Sequence, residues 1–330
     1  MRKNKLLLLL VLLVAVVSGA MAQTQEPAKT YNITLDEGTG NKDSQNWEIT
    51  PKSSELGGGE TVTVTYNGSR EVKSVTVVKK AAGNPYLKWD ANQKKLVATP
   101  MPATVTKVQN SDQDVEWAAG TYVVEGEVTI NGTISLNGNV DLIIKDGAKL
   151  TANKINGNSN NLSIYGQAQM TGELVVNSSI TDAIYNITTL EVHSAKVTAT
   201  SPEEYCGGFC DIGTFNVYGG SVYAEKTGTS VGFGINLVNG DSMNIYGGDV
   251  TAIGKGTDDY SYGITGSVPV TVYGGKLWAK CAENRALGSS VTLTKGAGFS
   301  GKIEYSSNGE SWTEYTTTGT PSSKYVRVGY

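Results

Sequence analysis

Three tyrosines, Tyr218, Tyr246 and Tyr273, each end a short strand-like run and precede a Gly-Gly pair, at intervals of 28 and 27 residues. Alternation along Phe215-Asn216-Val217-Tyr218 turns Phe215 and Val217 inward and Tyr218 outward, and the same reading turns Tyr246 and Tyr273 outward. Tyr223 and Trp278 follow in the strands after the Gly-Gly breaks. Flat rings spaced along a rigid sheet are suited to stacking on successive sugars, with Asn216, Asn244 and Thr271 offering hydrogen bonds. Tyrosines at identical positions of a repeat also stack on one another and stabilise the coil corner, and both readings stand at this point. The carbohydrate-binding candidates are therefore Tyr218, Tyr223, Tyr246, Tyr273 and Trp278.

Other reactive residue types do not assemble into a catalytic or metal pattern. Gly228-Thr229-Ser230-Val231-Gly232 has the spacing of a nucleophile elbow, which needs a strand-to-helix turn and a histidine base. The chain has one histidine, His193, which precedes that serine, and no helix is readable after Gly232. The segment reads as a Gly-rich loop. His193 occupies the same repeat column as the tyrosines, and a single histidine excludes multi-histidine zinc sites. A calcium cage needs several converging carboxylates, whereas Glu203-Glu204 and Asp258-Asp259 read as solvated loop pairs. A polysaccharide lyase needs acids recurring down one sheet, and the position after Gly-Gly is Ser221, Asp249 and Lys276 in turn. No catalytic residue, metal or cofactor is assigned. A glycoside hydrolase stays open as the alternative, because its carboxylate pair is defined by distance and not by sequence.

The elements that position these residues are repeats. Runs beginning at Leu162, Leu190, Phe215, Met243 and Val270 start 28, 25, 28 and 27 residues apart. Outer members at Leu142 and Val291 extend the series at 20 and 21. Each unit alternates apolar and polar residues, breaks at a turn and alternates again, so it cannot bury its apolar face alone. Stacking units at ~4.8 Å makes a continuous core, the architecture of a β-solenoid. The preference of parallel crossovers makes it right-handed.

The segments that flank the repeats read differently. Met1 to Ala22 carries basic residues, an apolar run from Leu6 to Val17 and small residues before a cleavage point after Ala22, the pattern of a secretory leader. That run is too short to span a bilayer, so the protein is expected to be exported and not membrane-spanning. Runs at 31–35, 47–50, 61–66, 72–78, 86–89 and 96–99 predict a small β-sandwich-like module over 28–112. The parallel β-helix is expected over 113–300 and an antiparallel C-terminal cap over 301–330, the kind of ending that blocks end-to-end association. Without the leader, 24 basic residues (27 − 3) face 31 acidic ones, which argues against a nucleic-acid partner. Cys206 and Cys210, in a Gly-rich segment that can bend, are the candidate disulfide. Cys281, about three rungs away, is left unpaired. The other outcome is that all three are reduced and buried.

The stretch from Thr121 through Ala152, the run Leu162-Ser-Ile-Tyr165-Gly-Gln167 and the Tyr-Gly-Gly units resemble adhesin-like, pectin-lyase-like β-helix proteins exported by gut bacteria. Such proteins are often described as carbohydrate-binding. The resemblance covers roughly 117–300. The stretch from Tyr31 to Lys79 is similar to a small β module of exported Bacteroidetes proteins. The family's commoner pattern sets Gly-Ile-Gly before each strand, and here only 232–235 and 262–264 approach it. The resemblance implies an all-β right-handed parallel β-helix at the cell surface, in the periplasm or outside the cell. Its partner would be a glycan or a host or bacterial surface component. The other classes are a carbohydrate-active β-helix enzyme and a structural surface protein with protein partners.

Overall fold

The structure of the protein is a computed structural model. It describes residues 6–10, 29–30, 47–50, 55–56, 62–66 and 84–330, apart from 203, 205, 238–241, 258, 284 and 318. The expected leader cleavage after Ala22, the runs at 31–35 and 72–78, and Glu203 and Asp258 lie outside the described residues.

The chain divides into two compact units, Met1–Asn84 and Pro85–Tyr330. In the first, Val62–Tyr66 pairs antiparallel with Trp47–Thr50 on one side and Leu6–Leu10 on the other, and Lys29–Thr30 pairs with Glu55–Leu56.

The second unit is a parallel β-solenoid of about six turns, and its described residues contain no helix. Three stacked sheets wrap the core. In the first, Val140, Leu162, Leu190, Phe215, Met243, Val270 and Leu293 align rung over rung. In the second, Val128, Leu150, Leu174, Val197, Val222, Val250 and Leu277 do the same. The third aligns Ile134, Ile155, Ile184, Phe209, Ile235 and Ile264. These inward columns are buried and belong to one continuous core, which is why an isolated unit has no stability of its own.

Register agrees with the repeat alignment from Leu162 to Val270. The outer members slip by two residues: Leu142 pairs with Ile164, and Val270 pairs with Leu293, two beyond Val291. An even slip keeps the strand face, so Leu142 and Val291 still point into the core.

Gly-Gly makes the corner between the first and second sheets. Gly220, Gly248 and Gly275 take φ of 68°, 73° and 71°, and a Cβ on Gly275 would lie 2.2 Å from the Gly248 carbonyl oxygen. Only glycine satisfies both constraints when such corners are stacked.

At the C-terminal end, Tyr325–Val328 runs antiparallel against Lys276–Cys281 and Ile303–Ser306. It covers the last edge of the second sheet.

The module boundary differs from the expected 28–112. The hairpin of Tyr86–Asp90 and Lys95–Thr99 belongs to the second unit, and Thr106–Lys107 already pairs in parallel with Tyr122 and Val123. The solenoid therefore begins before residue 113. Alternation identifies strands but not the sheet they join, and a lone two-stranded hairpin needs another surface on which to bury its apolar side chains.

Candidate functional site

The residue that closes each strand of the first sheet faces outward at the corner. Down the stack this column reads Ile143, Tyr165, His193, Tyr218, Tyr246 and Tyr273. Tyr165 and His193 stack at 4.4 Å, His193 and Tyr218 at 4.8 Å, Tyr218 and Tyr246 at 5.1 Å, and Tyr246 and Tyr273 at 4.8 Å. The interplanar angles of 11°, 22°, 18° and 6° mean that each ring lays its face on the next. The faces are consumed by the ladder itself, and what it turns outward is ring edges and hydroxyls.

The hairpin lies over the earlier part of this ladder. Leu87 N–H donates to Gly166 O at 2.9 Å, Ser194 Oγ donates to Leu87 O at 3.1 Å, and Trp89 N–H donates to His193 Nδ1 at 3.0 Å. The Tyr86 ring meets Tyr165 edge-on at 4.9 Å, and Trp89 stacks on Tyr218 at 5.1 Å and reaches Tyr246 at 5.5 Å. Leu96 sits against Gly219, where a Cβ would come within 2.8 Å of it.

Beside the rings runs a second outward column: Asp141, Ser163, Glu191, Asn216, Asn244, Thr271 and Thr294. Its members bond along the stack, as in Asn244 Nδ2 to Asn216 Oδ1 at 3.1 Å and Thr271 to Thr294 at 3.1 Å. They also bond across to the rings. Tyr165 OH donates to Asp141 at 3.2 Å, and Tyr218 OH donates to Glu191 at 3.1 Å. The hydroxyls of Tyr246 and Tyr273 have no such partner among the described residues.

Electrostatics follow from this packing. His193 is buried, and because its Nδ1 accepts the Trp89 N–H, the ring proton resides on Nε2, 3.5 Å from Glu191 Oε2. Burial lowers the His193 pKa below its ordinary value, against an opposing pull from Glu191. The His193 contact holds the Glu191 carboxyl down at about 2, helped by the Tyr218 and Ser163 hydroxyls. Burial raises the Tyr165 and Tyr218 phenols, and neighbouring carboxylates add to the rise.

The five carbohydrate-binding candidates do not come together. Tyr218, Tyr246 and Tyr273 lie in the corner column, with Tyr218 half-buried under Trp89 and Tyr273 exposed at 40%. Tyr223 and Trp278 belong to the second sheet, in the column Thr198, Tyr223, Thr251, Trp278. There, Tyr223 OH donates to Glu225 at 2.8 Å, and Trp278 packs near Tyr325 at 6.4 Å.

The disulfide expectation is corrected. Cys206 to Val217 is a strand and not a bent loop, and four extended residues separate two Cα atoms by about 13 Å, beyond the reach of a bridge. Cys210 is a free thiol, accepting from Asn236 Nδ2 at 3.6 Å and pushed up to about 12, mainly by burial. Cys281 is a buried thiol outside any disulfide, and its Sγ donates to Ser261 O at 3.1 Å. Ser230 meets a lysine and not the histidine: Lys226 Nζ lies 3.2 Å from its Oγ and 2.6 Å from Pro202 O.

The hairpin cover and the partnership of Glu191 with His193 were not found by sequence reasoning. The available signal was that the hairpin carries Tyr86, Leu87, Trp89 and Leu96 yet has no core of its own. Among the described residues no helix is long and apolar enough to cross a membrane. No family model, curated protein or solved structure matches the chain.

Proposed function

We propose that this chain is an exported or surface-held binding protein that engages a glycan along the outer face of the first sheet, where the hairpin ends. One observation carries the reading. The hydroxyls of Tyr165 and Tyr218, nearer the hairpin, are bonded to Asp141 and Glu191, whereas those of Tyr246 and Tyr273 have no partner among the described residues. Beside these two stand Asn216, Asn244 and Thr271, repeating at the rung spacing of ~4.8 Å. Side chains so arranged offer a fixed row of donors and acceptors to the hydroxyls of an extended sugar chain, and a rigid scaffold keeps the ordering cost of binding low. The expected leader supports a location where polysaccharides are met.

A carbohydrate-active enzyme would need a carboxyl kept protonated as general acid. Glu191, the carboxylate bonded to the ladder, is shifted the other way, to about 2, so it does not supply that acid.

The test is to challenge the mature protein with a panel of neutral and acidic polysaccharides, scoring retention together with release of reducing or unsaturated ends. Retention without release is the expected result. Release would establish the enzyme, and neither retention nor release across the panel would overturn the glycan reading in favour of a protein partner.

A further inference from the structure

We infer that the hairpin Tyr86–Thr99 is a pH-released cover: it docks on the ring column while His193 is neutral and lifts when His193 Nδ1 takes a proton. The inference stands apart from the identity of any ligand.

Docking rests on few polar contacts, and one of them ends on an ionisable atom. Of the hairpin's backbone groups, Leu87 N–H and Leu87 O are held by Gly166 and Ser194, and Trp89 N–H is held by the His193 imidazole. A two-stranded hairpin is at best marginal when it is not packed on something. Protonation of Nδ1 turns the acceptor into a donor and sets it against the Trp89 N–H. The lost contact becomes a repulsive one, with a buried donor left unmatched.

Among the described residues the hydrogen-bond partner of Nδ1 is the Trp89 N–H, a donor. Tyr165 covers one face of the imidazole at 4.4 Å and Tyr218 the other at 4.8 Å. Glu191, on the same strand as His193, faces Nε2, the opposite nitrogen. Two carboxylates, Glu191 and Asp141 of an earlier rung, favour the imidazolium, whereas Lys88 of the hairpin and burial oppose it. Burial prevails. The docked imidazole therefore binds its proton less readily than a solvated one, whose ordinary pKa is 6.5.

The sign follows from that difference. Docking is fully favoured above the ordinary value of 6.5 and weakens as pH falls below it, until the docked form also binds the proton. Within that window, one proton taken up on opening raises the open fraction about tenfold per pH unit. Glu191, held at about 2, titrates well below this range. Lifting the hairpin uncovers Tyr165, His193, Tyr218 and the flat floor at Gly219.

The experiment follows amide hydrogen exchange by NMR on the tag-free mature protein between about pH 7.5 and about pH 5, reading the His193 imidazole resonances in the same samples. Leu87 reports the hairpin and Val217 the core. The expected result is a His193 midpoint below 6.5, with Leu87 protection falling about tenfold per pH unit between 6.5 and that midpoint and levelling off beneath it, while Val217 protection holds. His193→Phe keeps a ring in the stack but cannot titrate, and its Leu87 protection should be lower at neutral pH and flat with pH. Glu191→Gln removes a group that favours the charged ring, so the His193 midpoint should move to lower pH and the loss of Leu87 protection, still beginning near 6.5, should continue down to that lower midpoint. Flat Leu87 protection across the wild-type His193 titration overturns the inference. So does a pH slope that survives in His193→Phe, or a Glu191→Gln midpoint that moves without the protection following it.

Discussion

Replacing single rings of the ladder separates a structural stack from a free platform. Tyr218 touches three rings, His193 at 4.8 Å, Tyr246 at 5.1 Å and Trp89 at 5.1 Å, and its hydroxyl bonds Glu191. Aromatic contacts contribute about 0.5 to 1.5 kcal/mol each beyond area burial, and a hydrogen bond to a charged group about 1.5 to 3 kcal/mol. These terms are shared within one cluster and do not sum in full. Tyr218→Ala should therefore cost about 3 kcal/mol. Among the described residues Tyr273 has one ring contact, at 4.8 Å to Tyr246, and is 40% exposed, so Tyr273→Ala should cost about 1 kcal/mol. Denaturant midpoints followed by circular dichroism give the comparison, because both variants change one rung of the same column. A cost for Tyr273→Ala equal to or larger than that for Tyr218→Ala would refute the reasoning. So would a Tyr218→Ala cost within ~0.5 kcal/mol of zero, the range of an ordinary surface substitution.

Val217 is fully buried between Val192 and Ile245, so Val217→Asp should cost several kcal/mol, on the order of ~3 to 5, and an unchanged melt would count against the inward assignment. Gly275→Val meets both a φ of 71° and a carbonyl 2.2 Å from the new Cβ. It should destabilise by more than the ~1 to 2 kcal/mol of a left-handed residue alone, and a melting temperature equal to wild type would contradict the stacked corner. Thiol titration of the denatured, non-reduced protein should find three thiols, and one thiol would restore the Cys206–Cys210 bridge. In the native state Cys210 should react slowly at neutral pH, since its thiol is pushed up to about 12.

Most of the solenoid was legible because its signal is repeated. Leu162, Leu190, Phe215, Met243 and Val270 each restate the same inward position, and the paired strands share that register. The two outer repeats were misaligned by two residues because period-two alternation cannot register an even slip. The outward placement of Tyr218, Tyr246 and Tyr273 was legible too, but not the direction of their ring planes. Sequence spacing fixes the strand face, whereas ring orientation depends on what lies one rung above and below. Trp89 was beyond reach for a related reason. It meets Tyr218 across 129 residues (218 − 89), and nothing local encodes a contact between a hairpin and a column built later in the chain. The Cys206–Cys210 expectation failed because glycines permit a bend without requiring one, and pairing with Gly232–Asn236 keeps that segment extended.

Affinity electrophoresis in gels containing the best-retained polysaccharide, comparing wild type with Asn244→Ala and Tyr273→Ala, bears most directly on the proposed binding face. Both variants should keep the wild-type circular dichroism spectrum and lose retention, by about tenfold for each side chain that bonds the ligand. Tyr223→Ala, on the second sheet, should retain as wild type does. Full retention by Asn244→Ala and Tyr273→Ala, or loss confined to Tyr223→Ala, would place the ligand elsewhere and contradict the account.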